Sequence, residues 1–360
     1  MKKADGSRLA ANHRDVAPIN CMATSLFKQV KLFFDSQLVY DSSDTFAYKA
    51  YMETHLNHSA SIKETFLQAA GYYKEQAGLY DTTNQSFLIR NDSILESKEA
   101  DLVTYLSADA FPADRLLLNN IEVRLELHRN SDAFYLNTLQ ANEYKVVINS
   151  LVWYVRKVEP MPSMLLALEN RLVHQPARYP IRRTIVKTEH IEAGRTRIHS
   201  MPLSSGHMPR RIVIGFVSTD AYNGNFRSNP FNFQHFDIRR IQVVAAGVPR
   251  PYYALEMNFA KEKVARAYYH MLDGLNIGPE GPGNDISISD FIGGSTFFVF
   301  DLTPDASDQS LQLVREGSIT VSAEFGTQVP AGGIKLLVYQ EFESILYIGK
   351  HRDMWFDFSG

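Results

Sequence analysis

Residues 121–128 read Ile-Glu-Val-Arg-Leu-Glu-Leu-His, an unbroken alternation of apolar and polar side chains. A β-strand turns successive side chains to opposite faces. Ile121, Val123, Leu125 and Leu127 therefore share one face, and Glu122, Arg124, Glu126 and His128 share the other. That is the pattern of an antiparallel sheet with one dry face. Strand-like runs of this kind recur along the chain. In its first part, 27–40 predicts two short strands around an Asp-Ser-Gln turn, and further strands are expected at 101–111, 119–129 and 144–159. The second part repeats the style at 181–191, 210–218, 236–249, 296–304, 318–325 and 334–348. An abundance of Phe and Tyr, 22 and 18 residues, agrees with a β-rich chain.

Helical spacing enters in only a few places. It predicts helices over 47–57 and 62–73, with Ser61 and Glu64 matching the S-x-x-E capping box. Pro160 and Pro162 break the strand pattern, and Leu165, Leu168 and Leu172 then mark a helix over 162–175 that joins two domains. A third helical patch covers 262–275, while 81–100 and 276–294 read as long loops. A chain of 360 residues has room for two cores. The expectation is a mainly β protein of two β-sandwiches in tandem with short helical insertions, divided as 1–172 and 173–360. No short period repeats, which argues against a solenoid or propeller.

The chemistry-bearing residues form no recognisable site. Asp301, Asp305 and Asp308 follow the apolar run 297–300, but with Pro304 among them they read as a polar turn rather than a carboxylate pair. His55 and His58 lie three apart without the H-E-x-x-H arrangement, and His190 and His199 show no ligand spacing. The glycines of 278–283 are interrupted by Pro279 and Pro282 and lack the Lys-Ser/Thr of a phosphate loop. Cys21 is the only cysteine, so no disulfide forms within the chain, and no partner marks it as a nucleophile. Between Arg171 and Arg211 nine Arg/Lys residues stand against Glu189 and Glu192. This stripe reads as a solvated face with inter-domain ion pairs, in preference to a nucleic-acid surface.

A net charge of −3 creates no global field toward polyanions. No apolar run approaches the ~20 residues of a membrane span, and the first fifteen residues lack a signal-peptide core. The sequons at Asn57, Asn84 and Asn91 are accordingly read as chance matches in a soluble chain from a reducing compartment. No catalytic, cofactor-binding or metal-ligating residue is assigned, and no enzyme activity is expected.

Several stretches, in order, resemble the major capsid proteins of Polinton/Maverick-type elements and the related adintoviruses. They include 15–39, 63–78, 116–127, 144–158, "GFVSTDAYNG…NPFNF" from Gly215, "FDLTPD" from Phe300, and 334–348. The resemblance implies a double jelly roll, trimeric pseudo-hexameric capsomers, an icosahedral shell and residence in the virion. Its implied partners are further copies of the chain, a penton or minor capsid protein and, weakly, packaged DNA. The helical insertions and the two long loops would then lie at the trimer top and between subunits. Family members carry further strand-forming sequence before the segment matching 15–39, so the first jelly roll is expected to lack one or two strands. The alternatives are a non-viral jelly-roll module, carbohydrate-binding for instance, that would use Trp153 or Trp355, and a minor capsid or vertex protein.

Overall fold

The computed structural model describes residues 1–111, 115–140, 144–303 and 315–357. Its N-terminal part begins with β1 (Lys2–Lys3), β2 (Val16–Pro18) and α1 (Met22–Ser25). The hairpin β3 (Phe27–Phe34) and β4 (Gln37–Asp41) follows, then α2 (Phe46–Asn57), α3 (Ala60–Glu64) and α4 (Gln85–Asp92). β5 (Val123–Arg129), α5 (Asp132–Tyr135), β6 (Leu136–Thr138), β7 (Tyr144–Lys145) and α6 (Pro162–His174) complete it. The C-terminal part runs β8 (Ala177–Ile191), β9 (Arg197–His207), β10 (Arg211–Ser218), α7 (Thr219–Asn223), β11 (Ile238–Ala245) and β12 (Val248–Glu256). It ends with α8 (Ala265–Gly274), α9 (Ile288–Ile292), β13 (Phe297–Asp301), β14 (Glu316–Phe325), β15 (Ile334–Ile348) and β16 (Met354–Phe356).

The C-terminal strands pair in one characteristic order. β8 pairs β15, β15 pairs β10, and β10 pairs β13; the second sheet runs β9, β14, β11, β12. Counted along this part, the sheets are strands one-eight-three-six and two-seven-four-five, with every pairing antiparallel. Two sheets with this connectivity make a jelly roll. β10 and β15 lie inside their sheet and are largely dry on both faces, which is why 212–217 and 336–339 are apolar without alternation. β11 and β14 alternate buried and half-buried residues, as strands with one wet face do.

The N-terminal part repeats a subset of the same pairings. β2 with β6 stands where β10 pairs β15, and β4–β3–β5 stands where β12–β11–β14 does, in the same chain order. Among the described residues, no strand takes the places of β8, β9 and β13. The expected strand at 101–111 occupies the chain position of β13 but forms no ladder. The expected strand at 144–159 is regular only over β7. A strand is stabilised by its neighbour's hydrogen bonds, and these segments have none to pair with.

One continuous core joins the two parts. Its hinge is α2, which is buried along most of its length, its Lys49 and His55 included. The Tyr51 ring stacks on Phe231 at 4.1 Å, and Tyr48 stacks on Tyr222 at 5.5 Å, tying α2 to the C-terminal part. Such aromatic pairs contribute about 0.5–1.5 kcal/mol each beyond their burial. With α2 inside, the 47–57 insertion is core and not the subunit-facing surface that the sequence suggested.

Other expectations are corrected locally. Ser59, not a Ser61 capping box, precedes α3, and the next helix is only a short 3₁₀ turn over Phe66–Ala70. Thr65 leaves helical geometry there, and Gly71 closes the turn at φ 79. The supposed loop 81–100 contains α4, capped by the Asn84 side chain accepting from Phe87 N at 2.8 Å. The loop at 276–294 contains α9, whose Ser287 and Asp290 form a true capping box. The 236–249 run is cut by Ala246 and Gly247, both at positive φ, into β11 and the start of β12.

Candidate functional site

The two parts meet in a buried polar layer beside α2. Lys49 Nζ sits 2.9 Å from Asp109 Oδ1 and 3.2 Å from Glu53 Oε1, donates to Ser107 O at 2.6 Å, and lies over the Tyr40 ring. Asp109 Oδ2 reaches across to accept from Thr184 N on β8 at 2.7 Å. Burial alone lowers the pKa of the Lys49 ammonium, but Glu53 and Asp109 outweigh it and hold it well above its usual value. Burial raises both carboxyls, against the lowering pull of Lys49.

Six residues further along α2, His55 makes a second bridge. Its ring nitrogens pair with the Tyr72 hydroxyl at 3.1 Å and the Ser295 hydroxyl at 2.9 Å, and Tyr80 shares Ser295 at 2.8 Å. Burial, with help from Lys63 and Lys74, holds the imidazole pKa well below its usual value. His58 instead contacts its own helix through Thr54 O. The two histidines therefore do not converge, and His55 is a structural tie.

A cleft of about 1140 Å³ opens outside the Lys49 layer, bounded by the 276–283 loop. Its walls carry Glu53, His58 and Asp109 from the N-terminal part and Arg182, Arg210, Arg211, Glu341 and Glu343 from the C-terminal part. Arg210 pairs with Glu343 at 3.0 Å and Arg211 with Glu341 at 3.5 Å. The wall charges are thus compensated in place, and the cleft presents no fixed sign to a ligand. No group of three His, Cys, Asp or Glu side chains among the described residues could hold a metal.

The remaining sequence candidates fall apart in space. Asp301 ends β13, and its Oδ1 accepts from Thr303 N and Thr303 Oγ1 at 2.8 and 2.7 Å, a local turn. Asp305 and Asp308 lie outside the described residues. Cys21 is buried, and burial pushes its thiol up to about 12, which removes the thiolate a nucleophile needs. His190 contacts Thr219 at 3.4 Å, and His199 is exposed on β9. The basic stripe is answered mostly within its own part: Arg182 and Arg211 by Glu341, Arg197 by Glu324, Arg210 by Glu343. These four arginines pair within the C-terminal part, while Arg183 of the same stripe interacts with Asp109 of the N-terminal part. Asn84 and Asn91 are buried, so neither sequon is accessible. Trp355 stacks on Tyr347 and Trp153 tilts against Phe111. The Lys49 and His55 layers went unseen in the sequence, because the partners that carry them across the fold, Ser107 and Ser295, lie 58 and 240 residues away.

No protein-family profile matches the chain. The uncharacterized protein F54H12.2 of Caenorhabditis elegans is 31% identical over 335 residues, covering 91% of this chain and 79% of the nematode protein. The chain belongs to the same family as F54H12.2. Among solved structures, a chain of the Sputnik virophage superposes with a TM-score of 0.57 at 9% identity, over 96% of this chain and 77% of its own. The mavirus major capsid protein superposes with a TM-score of 0.50 at 10% identity, over 97% and 81%. At such identities the likeness is one of fold. It agrees with the strand order above: the F54H12.2-like chain is a mainly β, double jelly-roll protein. No helix among the described residues is long and apolar enough to cross a membrane.

Proposed function

We propose that the chain is a structural shell subunit, a major capsid protein of the Polinton/Maverick and adintovirus type, with 1–172 and 173–360 as its two jelly rolls. The observation that carries this reading is the complete strand order of the C-terminal part, joined to a partial copy of the same order and matched in fold by the mavirus major capsid protein. The neutralised cleft and the locally bound Asp301, His55 and Cys21 fit a protein whose work is association. In this reading three copies form a pseudo-hexameric capsomer that packs with other capsomers and a penton protein in a virion shell. The basic stripe, tied up by Glu324, Glu341 and Glu343, is a poor DNA surface.

Light scattering of the purified chain over a range of concentrations tests the proposal. A species near three times 40.8 kDa is expected. A chain that stays monomeric at every concentration refutes the capsomer. The carbohydrate-binding alternative requires an aromatic platform, but Trp153 and Trp355 each contact a different neighbour and share no ring contact.

A further inference from the structure

Opposite Gln242 of β11, the neighbouring strand β12 swells outward. Ile241 faces Leu255 and Val243 faces Arg250, so Gln242 alone stands against 251–254. A bulge of that size leaves backbone carbonyls without ladder partners, and here side chains take them up. Gln242 Nε2 donates to Pro251 O and Tyr252 O, each at 3.1 Å. From α8, Arg266 donates through Nη2 to Tyr253 O and through Nη1 to Ala254 O, each at 2.8 Å. All four carbonyls are tied, and the bulge is a pinned projection.

What it projects is a pair of bare rings. Tyr252 and Tyr253 are each 74% exposed. Their centroids lie 5.0 Å apart at 90°, and among the described residues neither ring contacts any other. Tyr269, 69% exposed, stands one turn beyond Arg266 on the same side of α8, while Ala267 and Met271 on the other side are buried. The surroundings are basic. From Arg240 to Tyr269, five Arg/Lys residues stand against Glu256 and Glu262. Arg250, Lys263 and Arg266 are exposed, and among the described residues no carboxylate comes within ion-pair reach of them. Lys263 is held near the end of β12 by its bridge to Asn258. This separates the face from the 171–211 stripe, whose cations are mostly paired and whose one aromatic residue, Tyr179, is buried.

Unpaired cations among bare rings suit a strand that carries a negative charge and a flat ring at each repeat. Phosphates neutralise the cations while unstacked bases lie on the rings. A duplex hides the faces of its bases, so a single strand is the form that fits. Rings meeting at right angles make no continuous platform for a run of sugars, but one base can lie on either face. We propose that the β12 bulge and α8 form a contact surface for single-stranded nucleic acid, with Tyr252, Tyr253 and Tyr269 stacking on bases and Arg250, Lys263 and Arg266 meeting phosphates. It does not rest on the shell reading, since it concerns one chain in any state of assembly.

Anisotropy of a fluorescein-labelled oligothymidylate of ~12 residues, mixed with the full chain, tests it. Tyr252→Ala with Tyr253→Ala is expected to weaken binding at least about tenfold at an unchanged melting midpoint. Tyr252→Phe with Tyr253→Phe should keep it, because stacking uses the ring and not the hydroxyl. Three phosphate contacts at ~0.7 each give a slope of about −2 in log affinity against log salt, roughly a 20-fold loss from about 50 to 200 mM. Lys263→Gln should make that slope shallower by about 0.7. Arg266 also ties the bulge and is left unaltered. No binding by the parent at about 50 mM salt overturns the proposal. Equal binding by the alanine pair, or a duplex bound as tightly as the single strand, removes the stacking and overturns it too. Dextran sulfate that displaces the oligomer and binds the alanine pair undiminished would assign the face to a sulfated polysaccharide instead. Light scattering reads the capsomer independently, so either reading can fail while the other stands.

Discussion

Replacing Lys49 by Met tests whether the buried charge layer holds the two parts together. The Lys49 and Asp109 side chains are only 3% and 6% exposed, and Glu53 is partly buried beside them. Methionine keeps the stem's volume and removes the cation, leaving two carboxylates without their counter-charge. Breaking a buried pair from one side costs about 3–5 kcal/mol. At about 2–4 °C per kcal/mol for a chain approaching this size, the melting midpoint should fall by roughly 6–20 °C. The loss should depend on pH. Burial raises the folded-state pKa of Asp109 and Glu53 even with Lys49 in place, and removing Lys49 raises them further. The folded variant then keeps protons that the unfolded chain has released, so its stability falls as pH rises through the raised values. Urea unfolding at pH 5 and pH 7.5 should show a smaller deficit at pH 5. Adding Asp109→Asn to Lys49→Met should recover part of the loss, since a neutral amide can still accept from Thr184 N. A variant within about 1 kcal/mol of the parent at pH 7.5, or one with an equal deficit at both pH values, would refute the assignment.

Two further outcomes follow from the same packing. His55 is held neutral by burial, so the folded state takes up fewer protons than the unfolded chain as pH drops below about 6.5. Stability present above that pH should be lost toward pH 5 in the parent and lost less steeply in His55→Gln, read by urea midpoints. Gly215 lies in β10, where an added Cβ would stand 2.5 Å from Phe233 Cδ1 and 3.3 Å from Phe297 Cδ1. Gly215→Ala should therefore cost about 1–3 kcal/mol through forced ring shifts, and an unchanged melting midpoint would show that the aromatic layer is looser than drawn.

The strands of the C-terminal part were legible because each carries its own burial pattern. β8, β10, β14 and β15 fall where their apolar spacing put them. β9 escaped notice because its Ser, Gly and Pro residues dilute the pattern, with Ile198 and Leu203 the buried anchors. β12 was seen only at its start, since Pro249 and Pro251 argue against a strand; they are tolerated because β12 is an edge. The strands proposed at 101–111 and 144–159 show the opposite failure. Their side chains suit a sheet, but pairing is a property of two segments, and sequence pattern reports only one. The charge layer at Lys49 was hidden for the same reason. Nothing local to Lys49 announces Asp109, and nothing local to Asp109 announces Thr184.

The pairing of β8 with β15 also sets the order in which this molecule can be made. β8 is among the longest strands, yet its partner lies about 140 residues downstream. At ~5–20 residues per second, synthesis leaves β8 waiting on the order of ten seconds before Ile334 to Ile348 leave the ribosome. β10, whose neighbours on both sides come from 297–301 and 334–348, waits with it. The second jelly roll therefore closes only after residues 334–348 have emerged, with its driest strands exposed until then. A nascent chain of this architecture must either be shielded during that interval or be vulnerable to its neighbours on the same message.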